Sequence, residues 1–137
     1  MEKHICQIQV RFGDTDKLGH INNANYLTYV ESARIQYFID IIGDNINWDK
    51  EGIILARATI DFISPIELPD RTVEVHSHCS RIGTKSFDLA YSIFKSNTNE
   101  LAAKGVTTLV GFNYQSNSSI VIPTLWRSKM EPQLNIQ

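Results

Sequence analysis

The residues best suited to chemistry lie within ten positions of one another, between Asp14 and Asn23. This stretch follows a strand-like segment and precedes a helical pattern, so we expect it to lead into a helix N-terminus. Such an end has unpaired backbone N–H groups and the positive end of the helix dipole, which can polarise a carbonyl group and stabilise an oxyanion. A nearby carboxylate can act as nucleophile or as general base toward water. The alternative is that Asp14 and Asp16 only shape a turn.

Metal-dependent interpretations of this stretch fail on spacing. A calcium loop beginning at Asp14 would need an acidic or amide ligand at position 18 and a glutamate at position 25, where the sequence has Leu18 and Asn25. Phosphoryl transfer would need more acidic ligands and a phosphate-binding glycine loop. His76 and His78 lie on the same face of a predicted strand, but no third metal ligand has a recognisable spacing from them. We therefore expect the two histidines to be exposed sheet residues. We predict no metal site.

The elements that must position these residues follow from hydrophobic periodicity. Residues 5–12 alternate and predict a strand, and Asn22 or Asn23 offers the cap of a long, largely buried helix that Gly43 ends. The apolar stripe of that helix contains Tyr26, Val30, Ala33, Tyr37 and Ile41, widened by Leu27, Phe38 and Ile42. Strands are then predicted near residues 52–63, 71–80, 85–95 and 101–114, with a turn at 97–99 and a short final helix at 123–130.

This order of elements predicts an α+β fold in a single domain over residues 1–137. One long apolar helix is best covered by a curved, mainly antiparallel sheet of five or six strands wrapped around it. A formal net charge of -2 gives no basic surface for nucleic acid. No apolar run is long enough to cross a membrane, and the first residues do not resemble a signal peptide. We therefore expect a cytoplasmic protein, with Cys6 and Cys79 as packing thiols.

A resemblance to a known family rests on the same stretch and on the helix that follows. The residues that carry it are Arg11, Phe12, Asp14, Asp16, Gly19, Asn25, Tyr26 and the segment 31–34. In order and spacing they resemble the signature of the 4-hydroxybenzoyl-CoA thioesterase branch of the hotdog superfamily. The variant at residues 20–23 is more similar to the broad acyl-CoA thioesterase subgroup than to the hydroxybenzoyl enzymes.

The resemblance assigns roles within the stretch. Asp16 matches the catalytic carboxylate, which attacks the thioester carbonyl or activates water. The backbone N–H of Asn23 matches the donor that polarises the carbonyl, and Asp14 matches the acid that supports the loop. His20 orients either the substrate or Asp16, or else it is a capping or packing residue. The side chains of Asn22 and Asn23 are expected to be caps.

The resemblance also implies a coenzyme A site and an assembly. Thr84, Lys85 and Ser86 match a turn that contacts nucleotide phosphates, although a solvated hairpin turn is the alternative. Thr59 matches a substrate-side residue across a subunit interface, and Asp61 is expected to bond within the loop network, unless both are sheet surface. A homodimer or dimer of dimers is implied.

The expected function is hydrolysis of an acyl-CoA thioester, with coenzyme A as part of the substrate and no cofactor. Two alternatives stay open, a thioesterase acting on acyl-carrier-protein substrates and a non-catalytic module that binds acyl-CoA. The sequence leaves the acyl group undetermined, because the apolar helix stripe is needed for the core in any case.

Overall fold

One antiparallel sheet forms the body of the protein. In the computed structural model, which describes residues 2–136, the sheet has six strands in the order β1-β3-β4-β5-β2, with β6 beside β5. The strands are β1 (His4–Gln9), β2 (Gly52–Phe62), β3 (Thr72–Ile82), β4 (Ser86–Lys95), β5 (Leu101–Asn113) and β6 (Ser118–Ser119). Register shifts in three of the pairings increase the local twist, and the sheet curls around a helix.

The long helix α1 (Asn23–Tyr37) lies against the inner face of the sheet, where it contacts β1 and β3. Its N-cap is Asn22, whose side-chain Oδ1 accepts a hydrogen bond from the Ala24 N–H at 3.0 Å. The predicted stripe is buried from Tyr26 to Tyr37, whereas Leu27 faces outward with 41% of its surface exposed. The expectation that Leu27 widens the buried stripe was therefore wrong.

The end of α1 is a π-helical turn rather than a continuation of the same helix. Residues Phe38–Ile42 form this turn. Gly43 ends it at a φ of 128°, in agreement with the prediction that the helix ends at this glycine. The turn buries Phe38 against Phe87 and Trp126, at ring-centroid distances of 5.9 and 5.4 Å. Trp126 belongs to the predicted final helix, α2 (Thr124–Met130), whose N-cap is Pro123. This aromatic cluster closes one end of the core.

Alternate residues of β3 and β4 point inward and form the inner layer of the core. Val73, Val75, Ser77 and Cys79 face inward from β3, and β4 contributes alternate residues from Phe87 to Ile93. The predicted turn between β4 and β5 is confirmed, with Asn99 at a φ of 58°. Within residues 2–136, no helix combines the length and the apolar character that a membrane span requires.

The first strand is shorter than predicted. Residues Phe12–Asp14 form a 3-10 turn instead of the strand end, because the Asp14 carboxylate accepts the Arg11 backbone N–H at 3.2 Å. Phe12 is 79% exposed as a result. Strand β6 and the 3-10 turns at Leu68–Asp70 and Glu131–Asn135 were not predicted. Because β1 ends early, the loop that contains the two aspartates follows directly after this shortened strand.

Candidate active site

Asp14 is the buried structural centre of the loop. Its carboxylate is 3% exposed and accepts hydrogen bonds from the Tyr29 hydroxyl at 2.7 Å and from the Arg11 guanidinium at 3.1 Å. Its backbone carbonyl accepts the Asn22 N–H and the Asn25 side-chain amide. Burial by itself raises the pKa of Asp14, but the hydrogen bonds from Tyr29 and Arg11 outweigh it and hold the pKa below its ordinary value. Asp14 therefore ties the loop to α1, as the sequence suggested.

Asp16 has the opposite environment, because its side chain is exposed and only one of its two carboxylate oxygens accepts hydrogen bonds. Its Oδ1 accepts the backbone N–H groups of Leu18 at 2.8 Å and His20 at 3.2 Å. Its backbone exchanges further hydrogen bonds with His20 and with Gly19, whose φ of 81° closes the turn. The other oxygen, Oδ2, accepts no hydrogen bond from residues 2–136. The carboxylate is thus fixed in orientation while one oxygen stays available.

The first turn of α1 has a backbone donor without an acceptor among the described residues. Asn22 accepts two of the leading donors, the Ala24 N–H with its side chain and the Asn25 N–H with its carbonyl. The Asn23 N–H finds no acceptor among the described residues. A substrate oxygen placed there would receive a hydrogen bond at the positive end of the helix.

Asp16, His20 and Asn23 meet in one cavity of about 220 Å³, so the structure brings these three predicted residues together. The remaining lining residues are Ile21, Tyr26, Phe62, Ile63, Ser64 and Pro65. The His20 ring is partly exposed, with its Nε2 at 3.5 Å from Glu67 Oε1. His20 therefore supports Asp16 through its backbone, and the residue also lines the cavity.

Residues 62–65 form the wall that the sequence analysis missed. The Ile21 N–H donates to the Ile66 carbonyl at 2.8 Å, and the Tyr26 hydroxyl accepts the Ile66 N–H at 3.2 Å. The Tyr26 ring also packs edge-on against Phe62, with centroids 4.9 Å apart. These contacts join segments 40 residues apart in the chain. The only signal in the sequence was the proline after β2, which predicts an abrupt change of direction.

The predicted coenzyme A residues lie at the other end of the sheet. Ser86 pairs with Val110 of β5, while Phe62 of the cavity wall pairs with Ala103, seven residues away on the same strand. This separation is about 23 Å at the rise of a β-strand. Thr84, Lys85 and Ser86 form the predicted hairpin turn, but one chain alone does not bring them to Asp16.

The predicted turn also has polar partners of its own. The Ser86 hydroxyl accepts a hydrogen bond from Arg81 at 2.9 Å, and Arg81 pairs with Asp88 at 3.0 Å. Lys85 Nζ reaches the Ser119 hydroxyl at 3.4 Å. A long, weak contact of this kind leaves the ammonium group able to bind an anion.

The remaining polar predictions map to sheet surface. Thr59 lies on β2 with its hydroxyl 3.4 Å from the Val106 carbonyl. Asp61 pairs across the sheet with Lys104 and makes no side-chain hydrogen bond to the described residues, which fits the sheet-surface alternative and not a bond within the loop network. The His76 ring pairs with Glu74 at 3.1 Å. Residues 2–136 contain no cluster of three or more side chains suited to hold a metal ion.

A family model described as the thioesterase-like superfamily matches residues 10–132. The chain belongs to this superfamily. The match includes the whole candidate site, both helices and five of the six strands in full. Together with the curled sheet around α1, it confirms the predicted hotdog fold and the assignment as a thioester hydrolase.

Similar proteins cover most of the chain. A Thermus thermophilus thioesterase, solved in complex with coenzyme A and zinc, is 30% identical, with a TM-score of 0.82 and 97% of this chain and 95% of that chain covered. The chloroplastic acyl-acyl carrier protein thioesterase ATL3 of Arabidopsis thaliana is 29% identical over 93% of this chain and 67% of its own length. Its relative ATL2 is 32% identical over 82% of this chain and 61% of its own length.

Proposed function

We propose that the protein hydrolyses acyl-CoA thioesters and belongs to the branch that resembles the 4-hydroxybenzoyl-CoA thioesterases. One observation carries this proposal. The unbonded oxygen of the Asp16 carboxylate and the free Asn23 N–H belong to residues that line the same 220 Å³ cavity. A base or nucleophile beside an oxyanion donor is the combination that acyl transfer to water requires. The Thermus relative bound to coenzyme A supports a CoA thioester as the substrate.

In the proposed mechanism, the thioester carbonyl oxygen accepts a hydrogen bond from the Asn23 N–H. Asp16 then either removes a proton from water as the water attacks the carbonyl carbon, or attacks that carbon itself to form an anhydride that water hydrolyses. In both routes the C–S bond breaks, the thiol leaves with a proton, and the carboxylic acid is released. The proposed reaction uses no metal or redox cofactor.

His20 is proposed as a positioning residue. Its backbone N–H holds Asp16 Oδ1 at 3.2 Å, and this contact does not depend on the imidazole. Its ring forms a pair with Glu67 at the edge of the cavity. His20→Ala should therefore retain most of kcat and raise KM, because the carboxylate stays oriented while the wall changes.

A homodimer is proposed because the outer edge of strand β2, on the side away from β5, is unpaired among the described residues. This strand has eleven residues, and those from Ile54 to Thr59 are all exposed although a sheet strand normally buries one face. Pairing two copies of β2 about a two-fold axis satisfies the free β2 edge of each copy. Because the pairing is antiparallel, the Thr84–Ser86 end of one sheet approaches the Asp16 cavity of the other copy.

The main alternative is an acyl group carried by acyl carrier protein. The similarity to the Arabidopsis acyl-acyl carrier protein thioesterases supports it, and the same catalytic residues would serve. A non-catalytic acyl-CoA-binding module is the third candidate, but the intact pairing of Asp16 with a free helix amide argues for catalysis. Direct comparison of acyl-CoA and acyl-carrier-protein substrates distinguishes the three.

The test is thiol release from a panel of acyl-CoAs and the matching acyl-carrier-protein thioesters. Asp16→Ala should lose at least about a thousandfold in kcat, because it removes the base or nucleophile itself. Asp44→Ala is the matched control, since Asp44 is an exposed loop aspartate outside the cavity. Retention of most activity in Asp16→Ala, with hydrolysis by the wild type, would refute the mechanism. Binding of acyl-CoA without hydrolysis would favour the third candidate.

A further inference from the structure

The wall of the catalytic cavity at residues 62–65 contains a serine that has no role in the proposed mechanism. Ser64 lines the cavity together with Asp16 and Asn23. Its backbone N–H donates to the Ala102 carbonyl at 3.0 Å, which fixes this segment against β5. Ser64 is therefore a polar residue of the cavity whose backbone is held by the sheet.

The Ser64 hydroxyl has a charged acceptor. Its Oγ donates a hydrogen bond to Glu100 Oε1 at 2.8 Å, and Lys95 Nζ lies 3.0 Å from the same oxygen. Lys95 also lies 3.6 Å from Asp70 Oδ2, and only 13% of its side chain is exposed. The hydrogen bond from Ser64 and the charge of Lys95 hold the pKa of Glu100 below its ordinary value. Glu100 is therefore a carboxylate at neutral pH and accepts the only proton of the Ser64 hydroxyl.

This hydrogen bond determines what Ser64 can offer to a group in the cavity. A hydroxyl has one donor and two acceptor lone pairs, so Ser64 Oγ, which donates to Glu100, is an acceptor for other groups. Asp16 Oδ2, which accepts no hydrogen bond from residues 2–136, is a second acceptor in the same cavity. A thioester carbonyl oxygen is itself an acceptor and binds the Asn23 N–H instead. A water molecule has two O–H donors, which match the two acceptors.

We propose that Ser64 and Asp16 together bind the attacking water. One hydrogen of the water is donated to Asp16 Oδ2 and the other to Ser64 Oγ, so an oxygen lone pair is left for the carbonyl carbon. The cavity of about 220 Å³ has room for this water beside the thioester group, because a water molecule occupies about 30 Å³. Ser64 is then a catalytic residue, whereas Glu100 acts through it as a positioning residue.

This inference rests on the proposed function and selects one of its two routes, the direct attack of water. The water oxygen bonds to the carbonyl carbon while Asp16 removes one proton. The C–S bond then breaks, and the thiolate leaves with the proton from Asp16. The hydrogen that was donated to Ser64 stays on the new carboxyl group, so no anhydride forms.

Steady-state kinetics of four variants test this water site. Ser64→Ala removes the acceptor, Glu100→Ala removes the group that orients it, and the double variant removes both. Ser128→Ala is the matched control, because the Ser128 hydroxyl also donates to a protein oxygen at 2.8 Å but lies on α2, outside the cavity. The substrate is the acyl-CoA that the wild type hydrolyses fastest, and urea unfolding of each variant gives its folded fraction.

We expect Ser64→Ala to lower kcat by at least about tenfold with KM within about twofold of the wild type, because a disoriented water slows the chemical step. Glu100→Ala should lower kcat in the wild-type background and cause no further loss in the Ser64→Ala background, since it acts through Ser64. Ser128→Ala should match the wild type in both constants.

A single turnover in water enriched in ¹⁸O, with enzyme in excess over acyl-CoA, tests the route itself. Direct attack places the label in the released acid, whereas hydrolysis of an anhydride at the Asp16 carboxyl carbon places it in the peptide that contains Asp16. Label in that peptide, an unchanged kcat in Ser64→Ala, or a raised KM at unchanged kcat would overturn the inference and leave the proposed hydrolysis standing. Absence of hydrolysis by the wild type would refute the proposed function and this inference with it.

Discussion

Two aspartates separated by a single residue have different tasks because their surroundings differ. Asp14 is buried, and its carboxylate accepts hydrogen bonds from a tyrosine hydroxyl and an arginine. Asp16 is exposed, and backbone amides hold only one of its oxygens. A carboxylate whose acceptor sites are occupied stabilises the loop, whereas one with a free oxygen can accept a proton or attack a carbon. The same residue type therefore supplies both the support and the proposed reactive group.

The structural role of Asp14 predicts a pH-dependent loss of stability in Asp14→Asn. The folded-state pKa of Asp14 lies below its unfolded value, so its stabilisation is present above about pH 4 and is lost as the pH falls through the folded-state pKa. Asp14→Asn should lower the free energy of unfolding at pH 7 by about 1.5–3 kcal/mol, the usual contribution of hydrogen bonds to a charged group. The difference from the wild type should shrink toward pH 3.

Urea unfolding at both pH values measures this difference. Asp44→Asn provides the control, because it removes an exposed loop carboxylate with no such contacts and should leave the free energy of unfolding nearly unchanged. A loss of stability in Asp14→Asn that is equal at pH 7 and pH 3 would show that the charge of Asp14 is not what stabilises the loop.

Among the elements, those that bury one regular face were predictable, whereas those shaped by individual hydrogen bonds were not. The spacing of Tyr26, Val30, Ala33 and Tyr37 specified α1, since burial of one helix face leaves a period of 3.6 in the sequence. Alternation specified β3 in the same way. The 3-10 turn at Phe12–Asp14 escaped prediction, because a side-chain hydrogen bond to the backbone overrides the alternation of β1.

The same distinction applies to the residues of the candidate site. Asp16, His20 and Asn23 are close in sequence, so a local turn and a helix start were sufficient to place them together. The opposite wall comes from residues 62–65, whose position depends on the packing of Tyr26 and on hydrogen bonds to Ile66. Tertiary contacts of this kind leave no periodic pattern in a single sequence, so this wall of the cavity could not be predicted from the sequence.

The close packing of β5 against β2 predicts a sharp cost for a methyl group at Gly105. A Cβ there would lie 2.3 Å from the Thr59 carbonyl oxygen, a backbone atom that can move only with its strand. Gly105→Ala should therefore lower the free energy of unfolding by about 1–3 kcal/mol, as overpacking does elsewhere. Gly13→Ala is the control, because nothing lies within 4 Å of its added Cβ. Equal urea midpoints for the two variants would contradict the close approach of the strands.

At the scale of the whole molecule, the exposed edge and the divided site have one explanation. Strand β2 ends the sheet with its outer edge unpaired, and the predicted coenzyme A turn lies about 23 Å from the catalytic cavity along the strands. The proposed antiparallel pairing of two β2 strands would cover the edge and bring the turn of one copy toward the cavity of the other. A single chain therefore contains all the proposed parts without assembling them, and catalysis should depend on dimer formation.

The register of that pairing can be tested through its charges. A register with Thr59 at the two-fold axis would place Arg57 of each copy opposite Asp61 of the other and form two symmetric ion pairs on one face. Arg57→Asp and Asp61→Arg should each weaken the dimer, because either variant places like charges opposite each other. The double variant restores opposite charges at both positions and should recover the dimer.

Analytical ultracentrifugation over a dilution series, with thioesterase activity measured at each concentration, follows both the assembly and its consequence. In this register activity and dimer fraction should fall together in the single variants and return together in the double variant. The ion pairs lie on an exposed face, so added salt should reduce the differences among the variants. Single variants that remain dimeric, or a double variant that stays weakened, would assign another register. A monomer with full activity would show instead that one chain completes the site alone.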